Sequence, residues 1–277
     1  MRLRVATCLM LPEPDADELP LATALAAGGF EAQLVAWEDP RADWDSAMPT
    51  IIRSTWNYAL EVEAFTAWIR RVTAAGPLFN PREVVLDNLH KRYLLALARR
   101  GVPVVPTTVV ERGETCDLSS LETRRIVIKP EVGAGSLGTK VFASSDHAAL
   151  EHLADLTSRG AALIQPYLSS VEDYGERSLV WIDGALSHAI RKHPRFVGDA
   201  ERVEGPVAIA ADERAVAEAA LAPYPDLLYG RVDLARDGAG QPIVMELELV
   251  EPSLFFTRMP GSADRYVAGL RRRLEAR

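Results

Sequence analysis

The chain has 277 residues, 48% of them hydrophobic and 25% charged, with a formal net charge of -8. That length and balance describe a globular protein of one large domain or two to three small ones. The acidic balance argues against a nucleic-acid partner held through phosphates; Cys8 and Cys116, the two cysteines, form no C-x-x-C, which suits a reduced cytoplasm without a disulfide framework or structural zinc.

Residues 2–11 read as a first strand. The same stretch, basic and then apolar, resembles a signal peptide only until Pro12 and the acidic residues after it end the short apolar run. No window is apolar for long enough to span a bilayer. Residues 17–29 read as a helix stopped by Gly28-Gly29, and 30–37 as a second strand. This β-α-β order predicts a small parallel α/β unit.

A third short strand, 50–52, runs into Arg53-Ser54-Thr55-Trp56-Asn57-Tyr58. A guanidinium, two hydroxyls, an amide and two aromatic rings at the carboxyl end of a strand predict a substrate loop, because ligands of open α/β sheets bind there. Arg53 suits a carboxylate through its two-pronged fork. The alternative is that Trp56 and Tyr58 plug an interface. Residues 60–75 form a strongly amphipathic helix with Phe65, Trp68, Ile69 and Val72 on its core face. Asn80-Pro81 is a turn. Residues 85–100 read as one long helix with Lys91 on its outer side, and 102–110 as a proline-broken linker carrying an edge strand.

After a short helix over 118–122, residues 126–142 read strand, glycine-rich loop, strand. Lys129 sits where the chain leaves the first strand, and Gly133, Gly135, Ser136 and Gly138 form the loop. Glycines let backbone N–H groups approach an anion closely. Gly133 to Gly138 spells G-x-G-x-x-G, but the helix a dinucleotide site requires is missing, since strand-like residues follow. Thr139-Lys140 likewise reverses the order of a P-loop. A bare hairpin loop is the plain alternative. A lysine facing a glycine flap instead suits a nucleoside triphosphate.

Asp146 caps a helix over 146–158. Residues 161–168 form a strand turning at Pro166. Residues 177–182 and 185–192 pair across an Asp183-Gly184 turn, which returns Lys192 toward the loop. His188 reads as structural. Residues 195–206 are charged and expected to be mobile; 212–221 is a helix. Strands 227–234 and 242–249 pair through the turn at 237–240, and a helix over 262–274, capped by Ser262, closes the chain.

That last hairpin carries Arg231-Val232-Asp233 on one strand and Glu246-Leu247-Glu248 on the other. Residues two apart on a strand share a face. Clustered carboxylates repel one another unless a cation lies among them. Hard oxygen donors favour magnesium or manganese shared with phosphates. A solvent-facing polar surface is the alternative.

In their order and spacing these features resemble the ATP-grasp superfamily over residues 88–255, most closely the branch of cyclo-ligases that close O-ureido-D-serine to D-cycloserine and, more distantly, glutathione synthetases. RSTWNY, GERSL and MELELVEPSLFF carry that closer likeness. The resemblance implies an α/β (α+β) fold: residues 1–84 as a substrate domain and 85–277 as the ATP-grasp domain, with 107–168 as a smaller clamp. It implies that Lys91 and Lys129 hold ATP phosphates beneath the Gly133–Gly138 loop. Gln165, Tyr167 and Leu168 would form the adenine hinge, with Glu172 on the ribose. Lys192 and Arg231 would act on the transferred phosphoryl group. Asp233, Glu246 and Glu248 would hold two Mg2+ ions, Mn2+ being the alternative; related ligases often carry Asn where Glu248 stands. Arg53, Ser54, Trp56, Asn57 and Tyr58 would meet the substrate. The implied activity is an ATP-dependent carboxylate–amine ligase acting through an acylphosphate on a small amino acid. A dipeptide or γ-glutamyl ligase is the second reading, and a nucleotide-binding protein without turnover the third. Such enzymes are cytoplasmic, need no membrane or nucleic acid, and are commonly homodimers.

Overall fold

The computed structural model describes residues 1–193 and 202–276. The chain first builds β1 (Arg2–Thr7), α1 (Glu18–Ala27), β2 (Glu31–Ala36), β3 (Thr50–Ile52), α2 (Val62–Ala75) and β4 (Leu78–Phe79). Their strands form a parallel sheet in the order β2-β1-β3-β4. The predicted core face of α2 is buried through Phe65, Trp68, Ile69 and Val72. Phe65 stacks on Trp68 at 5.1 Å. Burying a side chain of this kind is worth about 1.5–3 kcal/mol. The helix stops at Gly76, where a Cβ would lie 2.9 Å from the carbonyl carbon of Ala47.

Where one helix was expected over 85–100, there are two: α3 (Arg82–Asn88) and α4 (Tyr93–Arg99). Tertiary bonds replace the helical ones at the break. The Asn88 amide donates to Leu247 O at 2.9 Å and its Oδ1 accepts from Leu249 N at 2.7 Å. The Lys91 N–H donates to Glu131 O at 3.1 Å. The apolar spacing runs on through the break, so the sequence pattern conceals it.

The middle of the chain forms β5 (Thr108–Val110), β6 (Arg125–Pro130), β7 (Lys140–Ala143), α5 (His147–Arg159) and β8 (Ala162–Pro166). Its strands make an antiparallel sheet, β5-β8-β6-β7. Asp146 caps α5, accepting from Ala148 N at 3.0 Å.

The remainder comprises α6 (Ser170–Asp173), β9 (Glu176–Ile182), β10 (Ala185–Lys192), β11 (Val203–Val207), α7 (Ala211–Leu221), β12 (Tyr229–Arg236), β13 (Pro242–Glu248) and α8 (Ser262–Glu275). The sheet order is β11-β10-β9-β12-β13, antiparallel throughout. Of the segment expected to be mobile, 195–201 lie outside the described residues, while Val203–Val207 pairs with β10 as an edge strand. Ser262 is not the cap of α8 but its first residue: Gly261 precedes it in the left-handed region, and the serine hydroxyl donates to Met259 O at 2.6 Å.

One apolar core joins the first sheet to the last. Leu3, Ile51 and Phe79 pack with Val180, Tyr229, Leu254 and Tyr266. The middle sheet has a separate core of Ile126, Ile128, Leu153, Leu156 and Ile164.

Candidate active site

The β12–β13 register places Asp233 opposite Glu246 and Arg231 opposite Glu248. Strand β9 lies on the other side of β12 and sets Ser178 opposite Asp233. At the end of β10, Lys192 pairs with Glu176 of β9. Four strands thus carry charged side chains to one place, as alternation along each strand allows.

Asp233 is the hub. Arg231 donates to both its oxygens at 2.9 Å, Ser178 Oγ donates to Oδ1 at 2.6 Å, and Lys192 Nζ donates to Oδ2 at 2.9 Å. Burial alone would raise the carboxyl, but Arg231 and Lys192 hold it below the ordinary aspartate value. Lys192 also donates to Glu176 at 2.6 Å, and Arg231 to Glu248.

Lys91 comes from the break between α3 and α4. Expected on the outer side of a helix, it is instead buried, reaching Glu246 at 2.7 Å and Gly133 O at 2.9 Å. Glu246 is held down at about 2: burial opposes ionisation, and Lys91 and Lys129 overcome it. Lys129, also buried, has its ammonium pushed below the ordinary lysine value by burial, with Glu246 opposing and Lys91 reinforcing. Among the described residues Lys129 makes no ion pair within 4.0 Å, and Glu246 is the acid acting on it most strongly.

The loop between β6 and β7 turns through Gly135, Ser136 and Gly138, all with positive φ. Gly138 O meets His152 Nε2 at 2.8 Å, which fixes the loop to α5. At the far end of β8, Gln165 donates to Thr107 Oγ1 at 2.9 Å. Glu172 accepts from Arg125 and from the Tyr167 hydroxyl, both at 2.9 Å. Leu168 O accepts from Val171 N at 3.2 Å, turning the chain into α6.

The predicted substrate loop divides. Arg53, expected to face a substrate carboxylate, is 2% exposed and turned inward. It donates to Asp17 at 3.3 Å and to Pro252 O at 3.0 Å. Asp17 accepts as well from the backbone N–H groups of Leu254, Phe255 and Phe256, so this pair ties the loop after β13 to the start of α1. Ser54 is buried against Thr7 at 2.9 Å. Asn57 accepts from Trp37 and donates to Glu38, each at 2.7 Å. Trp56 and Tyr58 reach Glu251: Trp56 Nε1 donates to its main-chain O at 3.3 Å, and the buried Tyr58 hydroxyl lies at its carboxyl.

Sequence reasoning passed over Glu176, Ser178 and Glu251. Glu176 and Ser178 stand in the GERSL run, and Glu251 in the acid run that continues past β13. Burial pushes Glu176 up to about 7, with Asp233 adding to it and Lys192 opposing. Burial and Glu248 push Glu251 up to about 8.

The donor chemistry of Asp233, Glu246 and Glu248, all hard carboxylate oxygens, fits a divalent ion of the magnesium class. Among the described residues no three acids stand together as a preformed cage; each is turned to a lysine or arginine.

The family model for the N-terminal domain of the D-cycloserine synthetase DcsG matches residues 3–80. The cycloserine biosynthesis protein DcsG of Streptomyces lavendulae is 38% identical over 285 residues, which is 94% of this chain and 95% of that one. The crystal structure of D-cycloserine synthetase DcsG superposes with a TM-score of 0.90 at 36% identity, over 99% of this chain and 100% of that one. The D-alanine–D-alanine ligase of Bacillus anthracis shares the fold, with a TM-score of 0.68 at 16% identity over 99% of this chain and 96% of that one. That ligase has also been solved in complex with ATP.

Proposed function

This chain belongs to the family of the D-cycloserine synthetase DcsG, within the ATP-grasp ligases, and we propose that it closes a small D-amino acid of the O-ureido-D-serine type onto its own side-chain nitrogen. It is an ATP-dependent C–N ligase. We assign residues 1–84 to the substrate side and 85–277 to the nucleotide-binding part, with 107–168 as the clamp over ATP.

The observation that supports this reading is the charge inventory. Glu176, Asp233, Glu246, Glu248 and Glu251 converge with Lys91, Lys129, Lys192 and Arg231. A bland polar surface would leave such groups in water. Burying them is costly unless each finds a partner, and exchanging partners with a polyanion keeps that balance.

In this reading Lys91 and Lys129 hold the ATP phosphates under Gly133, Gly135, Ser136 and Gly138. Gln165, Tyr167 and Leu168 receive the adenine, and Glu172 the ribose. Asp233, Glu246 and Glu248 would hold two magnesium ions, with manganese as a substitute; such ions neutralise phosphate charge. Arg231 and Lys192 neutralise the γ-phosphoryl group as it passes to the substrate carboxylate oxygen. ADP departs with the bond it breaks, and the acylphosphate remains. The O-bound substrate nitrogen then attacks the acyl carbon and gives up its proton, the C–O bond to phosphate breaks, and inorganic phosphate leaves; the carbamoyl group that an O-ureido substrate carries on that nitrogen is lost to water as carbon dioxide and ammonia. The side chains contribute positioning and charge stabilisation, the main contributions in phosphoryl transfer. Trp56 and Tyr58 form the wall nearest the substrate. Arg53, Ser54 and Asn57 support that wall from behind.

The test is release of ADP and phosphate with magnesium and ATP across D- and L-amino acids, ureido-serines included, with and without a second amine. Turnover with a single amino acid supports cyclisation. Turnover that requires a second amine makes the protein a dipeptide or γ-glutamyl type ligase. Tight ATP binding without turnover or hydroxylamine-trapped acylphosphate overturns the ligase reading in favour of a non-catalytic binder.

A further inference from the structure

Five carboxylate residues are buried in the described structure: Asp17, Glu131, Glu213, Asp233 and Glu251. Four have a basic partner within ion-pair distance. Asp17 has Arg53, Glu131 has Arg92 and His90, Glu213 has Arg177, and Asp233 has Arg231 and Lys192. Glu251 has none among the described residues, although it is 8% exposed. Its neighbour is the neutral Tyr58 hydroxyl, and its backbone carbonyl is anchored by Trp56. A carboxylate withdrawn from water without a cation is expensive.

Its place in the fold says what would complete it. Glu251 follows the last residue of β13 by three positions, and Glu248, Lys91 and Arg231 are its charged neighbours. The substrate carboxylate must lie beside Arg231 to receive a phosphoryl group. In an α-amino acid the ammonium is attached to the carbon next to that carboxylate. An acceptor for the ammonium must therefore sit a few ångströms from the phosphoryl acceptor, on the substrate side rather than the nucleotide side. Glu251 is the unpaired acid that meets this condition, beneath the wall formed by Trp56 and Tyr58.

We infer that Glu251 is a specificity residue that receives the α-ammonium group of the amino-acid substrate. This rests on the ligase reading above. The ammonium supplies the charge the buried carboxylate lacks, and its three N–H donors suit carboxylate oxygens. With the carboxylate at Arg231 and the ammonium at Glu251, the wall of Trp56 and Tyr58 is the third contact that selects one hand of the α-carbon, since exchanging hands with both polar contacts kept swaps the side chain with the α-hydrogen.

The experiment compares the wild-type enzyme with Glu251→Gln and Glu251→Asp, using O-ureido-D-serine and its counterpart without the α-amino group. Glu251→Gln is expected to raise the substrate KM roughly 10–100-fold, the loss of a hydrogen bond to a charged group. The KM for ATP should stay within about twofold, since loss of a single substrate contact leaves the nucleotide contacts in place. The wild type should prefer the amino acid over the deamino compound, and Glu251→Gln should erase the preference. Glu251→Asp keeps the charge and should retain part of it, which also controls for misfolding of the glutamine variant. An unchanged substrate KM with an unchanged preference overturns the inference while the ligase reading stands. A wild type that turns over no amino acid overturns the ligase reading, and the inference with it.

Discussion

The middle sheet and the two outer sheets are held by different means. The middle sheet has its own apolar core, built from Ile126, Ile128, Leu153 and Ile164. It meets the rest of the chain in part through charges and polar groups, Arg92 to Glu131 and Glu111 and Lys91 to Gly133 O, with Val132 and Ala134 packing on the first sheet's core. The outer sheets share one core and are cross-tied inside it. Asn80 donates to Tyr229 O and Leu249 O at 2.8 Å each, and the paired Arg53 and Asp17 bond Pro252 O and the N–H groups of Leu254, Phe255 and Phe256. The difference teaches where the protein tolerates change. Buried ties in the scaffold are costly to break, because each loss leaves a charge or donor unsatisfied. Partly exposed pairs at the margin of the clamp are screened by water and salt and set position more than stability.

The largest expected effect lies where both regions meet. Asp233→Ala leaves Arg231 and Lys192 without their shared partner and should cut turnover by roughly 10²–10³-fold or more, with secondary structure retained by circular dichroism. Full turnover in this variant would remove Asp233 from the chemistry. Next comes the scaffold: Arg53→Ala should lower unfolding free energy by about 3–5 kcal/mol, read from denaturant midpoints, with substrate KM little changed. A raised KM at unaltered stability would return Arg53 to the substrate.

Ile128→Ala tests the separation of cores directly. It should cost about 2–5 kcal/mol, and amide exchange should quicken in β6 and β8 while β9 and β12 stay protected. Equal loss of protection in both sheets would show that the cores act as one. The remaining expected effect is on pH dependence. Glu176, raised to about 7, and Glu251, raised to about 8, keep protons that the unfolded chain releases above about pH 4.3. The folded state then binds more protons through that window, so stability should fall as pH rises from about 5 to 8. Glu246 works the other way: its contribution is present above the unfolded value and is lost as pH falls toward about 2. Glu251→Gln should flatten the fall between pH 5 and 8 in denaturant midpoints; an unaltered slope would show that Glu251 does not titrate there.

The sequence by itself determined the local elements and much of the site's composition. Phe65, Trp68, Ile69 and Val72 specify α2 through their period, and Asp183-Gly184 specifies the hairpin through its positive φ angles. Alternation alone put Arg231 with Asp233, and Glu246 with Glu248, on common faces, and the glycines marked the β6–β7 loop. These features depend on neighbours within a few residues, which the sequence displays. Only the tertiary structure decided that Lys91 sits in a helix break, that Arg53 turns away from the site, and that Glu251 has no ion-pair partner among the described residues. Those outcomes depend on partners far along the chain: Asn88 bonds Leu247 across 159 residues, and Arg53 meets Asp17 across 36. A side chain's direction follows from which distant group satisfies it once water is removed, and no local pattern encodes that choice.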